Sequence, residues 1–162
     1  MNEETRAVDV YENEPADNGK LKVFGIVAIA LGVLKFVARL VIYLHFNVEK
    51  LINTSPNSKK IIDVFNKNNT SMEQVNDAFK SFIITYAVIG LIVLVVIGIL
   101  AIRAASTGKA KGILIVLIIY LIYTVLCLIF SFGVHSLLGV FGILTIIVTI
   151  IGIVFANKVN KQ

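Results

Sequence analysis

The sequence predicts an all-α integral membrane protein, a four-helix transmembrane bundle with a short amphipathic extracytoplasmic cap. Three observations lead there. Hydrophobic residues make up 57% of the 162-residue chain and charged residues only 15%, where a soluble domain carries roughly 25% charged residues. Mean hydropathy is +0.90, so the chain cannot cover its own surface with polar groups and lipid must be part of its solvent. The apolar residues also gather into four runs, 21–46, 81–102, 112–133 and 138–156. A helix rising 1.5 Å per residue crosses a hydrocarbon core of about 30 Å in about 20 residues, the length of these runs. None of the last three holds a charge. They lack the period-two alternation of a membrane strand, and lipid leaves helix as the solution that pairs every backbone amide within its segment. A soluble enzyme, a disordered chain and a disulfide-stapled secreted module are excluded.

Residues 1–20 carry six acids against Arg6 and Lys20, a net charge of −4. With Pro15, Gly19 and no apolar period, they read as an acidic, disordered cytoplasmic tail. Tyr11 among those acids reads as part of the tail in preference to a docking or phosphorylation site. The first span, 21–46, does not read as a cleaved signal. Its leader is acidic where a signal is basic, and its apolar block is followed by Lys35 and Arg39 with no small-residue cleavage site.

Lys35 and Arg39 are the candidate anion or lipid contacts. Four residues apart, they share one helix face, which Tyr43 and Phe46 continue. A charge at mid-bilayer costs roughly 2.5–3.5 kcal/mol, so intramembrane bases are functional candidates by default. No Asp or Glu occurs in any of the four spans. Three fates are open: snorkelling to outer headgroups, with the helix ending near Ala38; binding an anionic lipid headgroup; or lining a polar cavity that handles an anion. Lys35 lies past the middle of the run, which favours the first.

Residues 47–80 form the one sizeable extramembrane segment, longer than a usual connection. Pro56 interrupts any extension of the first helix. Ile61, Ile62 and Phe65 fall on one face of a short helix in SKKIIDVFNK and form the candidate partner surface. Thr70 and Ser71 precede Glu73 and Gln74 in the pattern of a capping box, from which a helix runs on into the second span, 81–102. The segment reads either as a cap packed over the bundle mouth, the plainer option, or as a recognition surface. Its three N-x-S/T sequons, at Asn53, Asn68 and Asn69, are chance products of an Asn-, Lys- and Ile-rich chain. That bias, with the small size, points to an AT-rich bacterial genome.

The loop 103–111 is basic and free of acids. The third span, 112–133, carries Tyr120, Tyr123, Thr124 and Cys127 at three- and four-residue spacing, a candidate interhelical polar stripe facing protein rather than lipid. A short outer turn, 134–137, leads to the fourth span, 138–156, and a cytoplasmic tail, 157–162. Small residues four apart permit close helix approach: Ala28 with Gly32, Ala101 with Ala105, and Gly152 with Ala156.

Charge sets the expected orientation. The side holding both termini and the 103–111 loop carries Arg6, Lys20, Lys22, Arg103, Lys109, Lys111, Lys158 and Lys161. The other side carries Lys50, Lys59, Lys60, Lys67 and Lys80. Bases favour the cytoplasm, so both termini are expected inside a plasma membrane.

Enzyme chemistry finds no support. Cys127 is a lone cysteine within a span, and His45 and His135 lack a placed carboxylate for a metal. Ser106-Thr107-Gly108-Lys109 fails the phosphate-loop pattern, since Arg103 stands where its first glycine belongs and Ala110 follows the lysine. Neither a cofactor nor a nucleic-acid partner is expected. The partners expected are the lipid bilayer and either another membrane protein or further copies of this chain. The function expected is a non-enzymatic accessory protein of the immunity or envelope-stress type. The alternatives are an oligomeric channel or transporter for a small anion, and an anionic-lipid binder using the basic cytoplasmic flank.

Overall fold

The computed structural model describes residues 16–53, 58–68, 70–131 and 136–161. Most of the acidic tail, the Pro56 break, Asn69 and part of the outer turn with His135 lie outside the described residues. In chain order the helices are α1 (Ala16–His45), α2 (Val48–Asn53), α3 (Ser58–Lys67), α4 (Met72–Thr107), α5 (Lys111–Ser131) and α6 (Ser136–Val159). No strand occurs among the described residues. Helices α1, α4, α5 and α6 are each long and apolar enough to cross a bilayer. Only 22% of the apolar window in each is buried, so most of their apolar side chains face outward. Ile119 at 62% exposure and Leu44 at 66% are examples. Water would not tolerate such a surface and lipid requires it: the protein is a multi-pass membrane protein.

Helix ends are set by local chemistry. Helix α1 takes in Ala16–Lys20, read from sequence as the end of the tail. Asp17 lies in its first turn, where the helix dipole favours an acid, and pairs with Lys20 at 3.5 Å. Leu21, the next residue, is fully buried. At its far end α1 passes Ala38 and runs to His45, whose Nδ1 donates to the Val41 carbonyl at 2.9 Å. Asn47 caps α2, its Oδ1 accepting the Lys50 amide at 3.1 Å.

The capping box closes on Ser71 and Gln74. The Ser71 amide donates to Gln74 Oε1 at 3.0 Å and the Gln74 amide to Ser71 Oγ at 3.1 Å. Started this way, α4 continues for 36 residues, about 54 Å at 1.5 Å per residue, so its polar ends extend beyond the hydrocarbon. Its stop is Gly108, at a φ of +66°, the left-handed terminator that glycine adopts without strain. Ser106 and Thr107 fold their hydroxyls back onto the Arg103 carbonyl at 3.0 and 2.9 Å. The Ser-Thr-Gly-Lys run is therefore a helix stop.

The chain forms two compact units, Met1–Gly32 with Val93–Gln162, and Val33–Ile92. Segments of all four spans meet in the first as a four-helix bundle. Its core joins Leu21, Phe24 and Ala28 of α1, Leu94, Ile97, Ala101, Ala104 and Ala105 of α4, Ile113, Leu117 and Tyr120 of α5, and Ala156 and Val159 of α6. Small side chains let the backbones close. A Cβ on Gly25 would stand 2.6 Å from the Gly98 carbonyl oxygen, and one on Gly98 would stand 2.6 Å from the Gly25 carbonyl oxygen. Gly152 of α6 receives the edge of the Phe24 ring. The buried hydroxyls of Thr124, Thr145 and Thr149 donate to the carbonyls of Tyr120, Phe141 and Thr145, each one turn back.

The reciprocal glycine contact sets backbone directly against backbone and yields the first prediction. Gly98→Ala forces backbone apart and should destabilise the bundle by about 1–3 kcal/mol, the usual cost of overpacking. Gly112→Ala, with nothing within 4 Å of its Cβ, should cost nothing and gain helix propensity. Unfolding of the two variants in bicelles, compared with the parent chain, checks the pair. Equal stability of both would remove the glycine crossing as the determinant.

Candidate functional site

The second unit, Val33–Ile92, contains the C-terminal part of α1, helices α2 and α3, and the first part of α4. Here α1 and α4 run antiparallel and meet along a seam of cations and aromatic rings. Phe46 stacks on Phe79 with centroids 5.7 Å apart. One turn along, the Lys80 ammonium lies 5.9 Å from the centre of the Tyr43 ring. A further turn along, the Arg39 guanidinium carbon lies 5.4 Å from the Tyr86 ring centre, and Phe82 tilts against that ring at 5.2 Å. Cation and aromatic exchange helices between the last two rungs, so neither helix carries all the charge.

Arg39 makes more than a ring contact. Its Nη1 donates to the backbone carbonyl of Tyr86 at 2.7 Å, a short charge-assisted bond. That carbonyl also belongs to the helix ladder, and a carbonyl's two lone pairs can serve both. Gly90, one turn beyond Tyr86, leaves the room: a Cβ there would lie 2.9 Å from Nη1. The α4 backbone thus receives the α1 guanidinium at a position where any larger side chain would push it away. Arg39 and Lys35 are both half-buried. The sequence favours snorkelling to headgroups for both; the structure instead turns Arg39 sideways onto α4, where a carbonyl and a ring face are within reach.

The polar stripe of α5 divides. Tyr120 and Thr124 are buried, Cys127 is half-buried, and Tyr123 is 47% exposed. At 100° per residue, Tyr123 is rotated about 60° from Tyr120, while Thr124 and Cys127 stay within about 40° of it. The Tyr123 ring lies 6.3 Å from that of Tyr120. Thr124 donates within its own helix, where the sequence suggests an interhelical bond, because a threonine hydroxyl reaches the carbonyl one turn back without leaving its rotamer.

In the cap, the Val48 amide donates to Asn76 Oδ1 at 3.3 Å, which ties the start of α2 to the first turns of α4. Helix α3 is amphipathic. Lys59, Lys60 and Lys67 are exposed, Ile62 and Phe65 are half-buried, and Val64 beside them is 53% exposed. Ile61 lies on this helix too, but its side chain is outside the described set. Among the described residues, no three His, Cys, Asp or Glu side chains come together in a metal-binding arrangement.

No protein-family model, curated protein or solved structure matches this chain. The site is read from its own chemistry.

Sequence reasoning reaches Lys35, Arg39, Tyr43 and Phe46 as one stripe on α1. It does not reach Lys80 or Gly90, nor the pairing of Arg39 with the Tyr86 carbonyl. A tyrosine and a glycine four apart in an otherwise apolar run are the signal available for the last two.

The seam predicts measurable coupling. A double-mutant cycle of Arg39→Met and Tyr86→Leu, read by unfolding in bicelles, should give an interaction energy of about 0.5–2 kcal/mol, the range for exposed to desolvated cation–π contacts. Additive single effects would mean that the ring merely stands near the guanidinium.

Proposed function

We propose that the protein is a small non-enzymatic accessory protein of a bacterial plasma membrane, of the immunity or envelope-stress type, that engages a membrane-protein partner through its 47–80 segment. The observation that carries the reading is α3. It is an amphipathic helix with Val64 uncovered beside half-buried Ile62 and Phe65, in a segment secured to the spans by the Val48–Asn76 bond, the Phe46–Phe79 stack and the Ser71–Gln74 box. A merely connecting loop would need none of these ties. The threonine hydroxyls, which a conducting lumen would turn inward, are engaged with their own helices, which favours interaction over transport.

The orientation proposed has both termini in the cytoplasm. Lys20, Lys22, Arg103, Lys109, Lys111, Lys158 and Lys161 are all exposed within the first unit, where bases favour the cytoplasmic face.

Orientation is checked in a Cys127→Ser background. A membrane-impermeant maleimide should label Asn66→Cys in intact cells and Ser106→Cys only after permeabilisation; the opposite pattern reverses the assignment. For the interaction, native mass spectrometry of the complex drawn from its own membrane into nanodiscs should find a stoichiometric foreign subunit. Val64→Glu, a change at an exposed position, should release that subunit and leave the chain folded. A lone chain or a homo-oligomer, unchanged by Val64→Glu, would sink the accessory reading.

A further inference from the structure

Helix α3 carries a stripe that the packing of the second unit leaves open. The other described apolar side chains of α2 and α3 are covered at least in part: Val48 and Ile52 are buried, and Ile62 and Phe65 are half-buried. Val64 is not, at 53% exposure. Lys60 precedes it by four residues and Lys67 follows it by three. At 100° per residue the three positions fall within about 60° of one another around the helix. Both lysines are exposed, and neither forms an ion pair among the described residues. Asp63 and Lys59 lie on other faces, about 100° and 140° from Val64. The result is an uncovered apolar side chain between two basic positions about 10 Å apart along the axis.

The height of α3 and its charge decide what fits that stripe. Lys80 is the last charge before the second span, and α4 begins eight residues earlier at Met72, about 12 Å of helix. The Thr70 amide donates to the Phe65 carbonyl at 3.0 Å, which holds the end of α3 near that start. The headgroup layer is about 5–8 Å deep on each side of the hydrocarbon, and a usual tilt of about 20° shortens the rise only slightly. The end of α3 therefore stands clear of the lipid. Its Lys59, Lys60 and Lys67 against Asp63 give α3 a net charge of +2. A twofold pairing of two copies through this face would oppose lysine with lysine. Carboxylates on another protein suit it.

We propose that Lys60, Val64 and Lys67 dock an acidic protein segment, in which an apolar side chain is flanked by two carboxylates, on the extramembrane part of a foreign subunit. The inference rests on the accessory reading of α3 and adds the chemistry of the partner. Val64 supplies the apolar contact, and the two ammonium groups select the partner and its register.

The test treats the complex in its own membranes with a water-soluble carbodiimide, which condenses an amine with a carboxylate in direct contact. Mass mapping should find Lys60 or Lys67 joined by an amide to an Asp or Glu of a foreign chain. Lys60→Arg with Lys67→Arg keeps the charge without the reactive amine, so it should lose the cross-link and keep the subunit. Lys60→Glu with Lys67→Glu should reduce the retained subunit by about tenfold, since like charges then face each other. Lys59→Gln, on another face, should leave it unchanged. All these positions are exposed, and the arginine variant controls for folding. A subunit that Val64→Glu releases, but that shows neither cross-link nor charge-reversal loss, overturns the acidic docking and leaves the accessory reading standing. Absence of any foreign subunit removes both. A covalent dimer of this chain overturns the proposal in favour of a second copy. Anionic lipid held by the parent chain and lost on charge reversal overturns it in favour of headgroups, and an equal loss with Lys59→Gln overturns the stripe.

Discussion

The bilayer offers no hydrogen-bond partners, and the rest of the structure follows from that constraint. Every polar group that enters the hydrocarbon must find its partner in the chain. Backbone amides do so by forming α1, α4, α5 and α6. Thr124, Thr145 and Thr149 do so by returning their hydroxyls to carbonyls one turn back. Arg39 does so by crossing to the Tyr86 carbonyl. The same rule explains why the helix ends, which carry orphan amides and carbonyls, are dressed with Asn47, Ser71, Gln74, Ser106 and Thr107. Those ends meet water or headgroups, and side-chain caps secure them there.

Lipid also removes the ordinary drive for helices to associate, because lipid tails are as apolar as leucine. What remains is close contact, and the two units achieve it differently. The first relies on absence of bulk: Gly25 against Gly98, Gly152 against Phe24, and buried Ala28, Ala101, Ala104, Ala105 and Ala156. Dispersion grows as backbones approach, and without Cβ atoms at the crossing it reaches backbone-to-backbone range. The second unit relies on large aromatic surfaces and charge, in rungs from Phe46–Phe79 to Arg39–Tyr86.

Much of the fold is legible in the sequence, because span length and the absence of charge are one-dimensional properties. The capping box at Ser71–Gln74 and the paired small residues at Ala28, Ala101, Ala105, Gly152 and Ala156 are local patterns, and they appear where the pattern puts them. Gly25 and Gly98 escape because each lies three residues from its nearest small neighbour, off the four-residue spacing that marks a close crossing. The seam is half legible. A charged stripe on α1 is visible from Lys35, Arg39, Tyr43 and Phe46, but the main partner of Arg39 is a backbone oxygen, which has no residue type to betray it. Tyr123 resisted prediction for a related reason: a three-residue step keeps it near Tyr120, yet rotates it far enough to reach the outer surface.

The energetics of Arg39 say what the seam is for. Placing arginine at the centre of a span costs roughly 2.5–3.5 kcal/mol, an upper figure for Arg39, which lies towards the end of α1. An interhelical hydrogen bond in a membrane returns about 0.6–2 kcal/mol, and a cation–π contact returns about 0.5–2 kcal/mol. Gains and cost are of similar size, so stability alone gives little reason for arginine over an apolar side chain such as leucine here, as in other cases where buried charge is replaced by apolar packing. What leucine would not supply is discrimination. An apolar α1 face slides past an apolar α4 face with little change in energy, since one isoleucine is much like the next. Arg39 finds its carbonyl, its ring and the space above Gly90 in one register only, and a slip of a single turn would lose all three while keeping the whole insertion cost. The guanidinium therefore fixes how α1 and α4 are paired in the second unit.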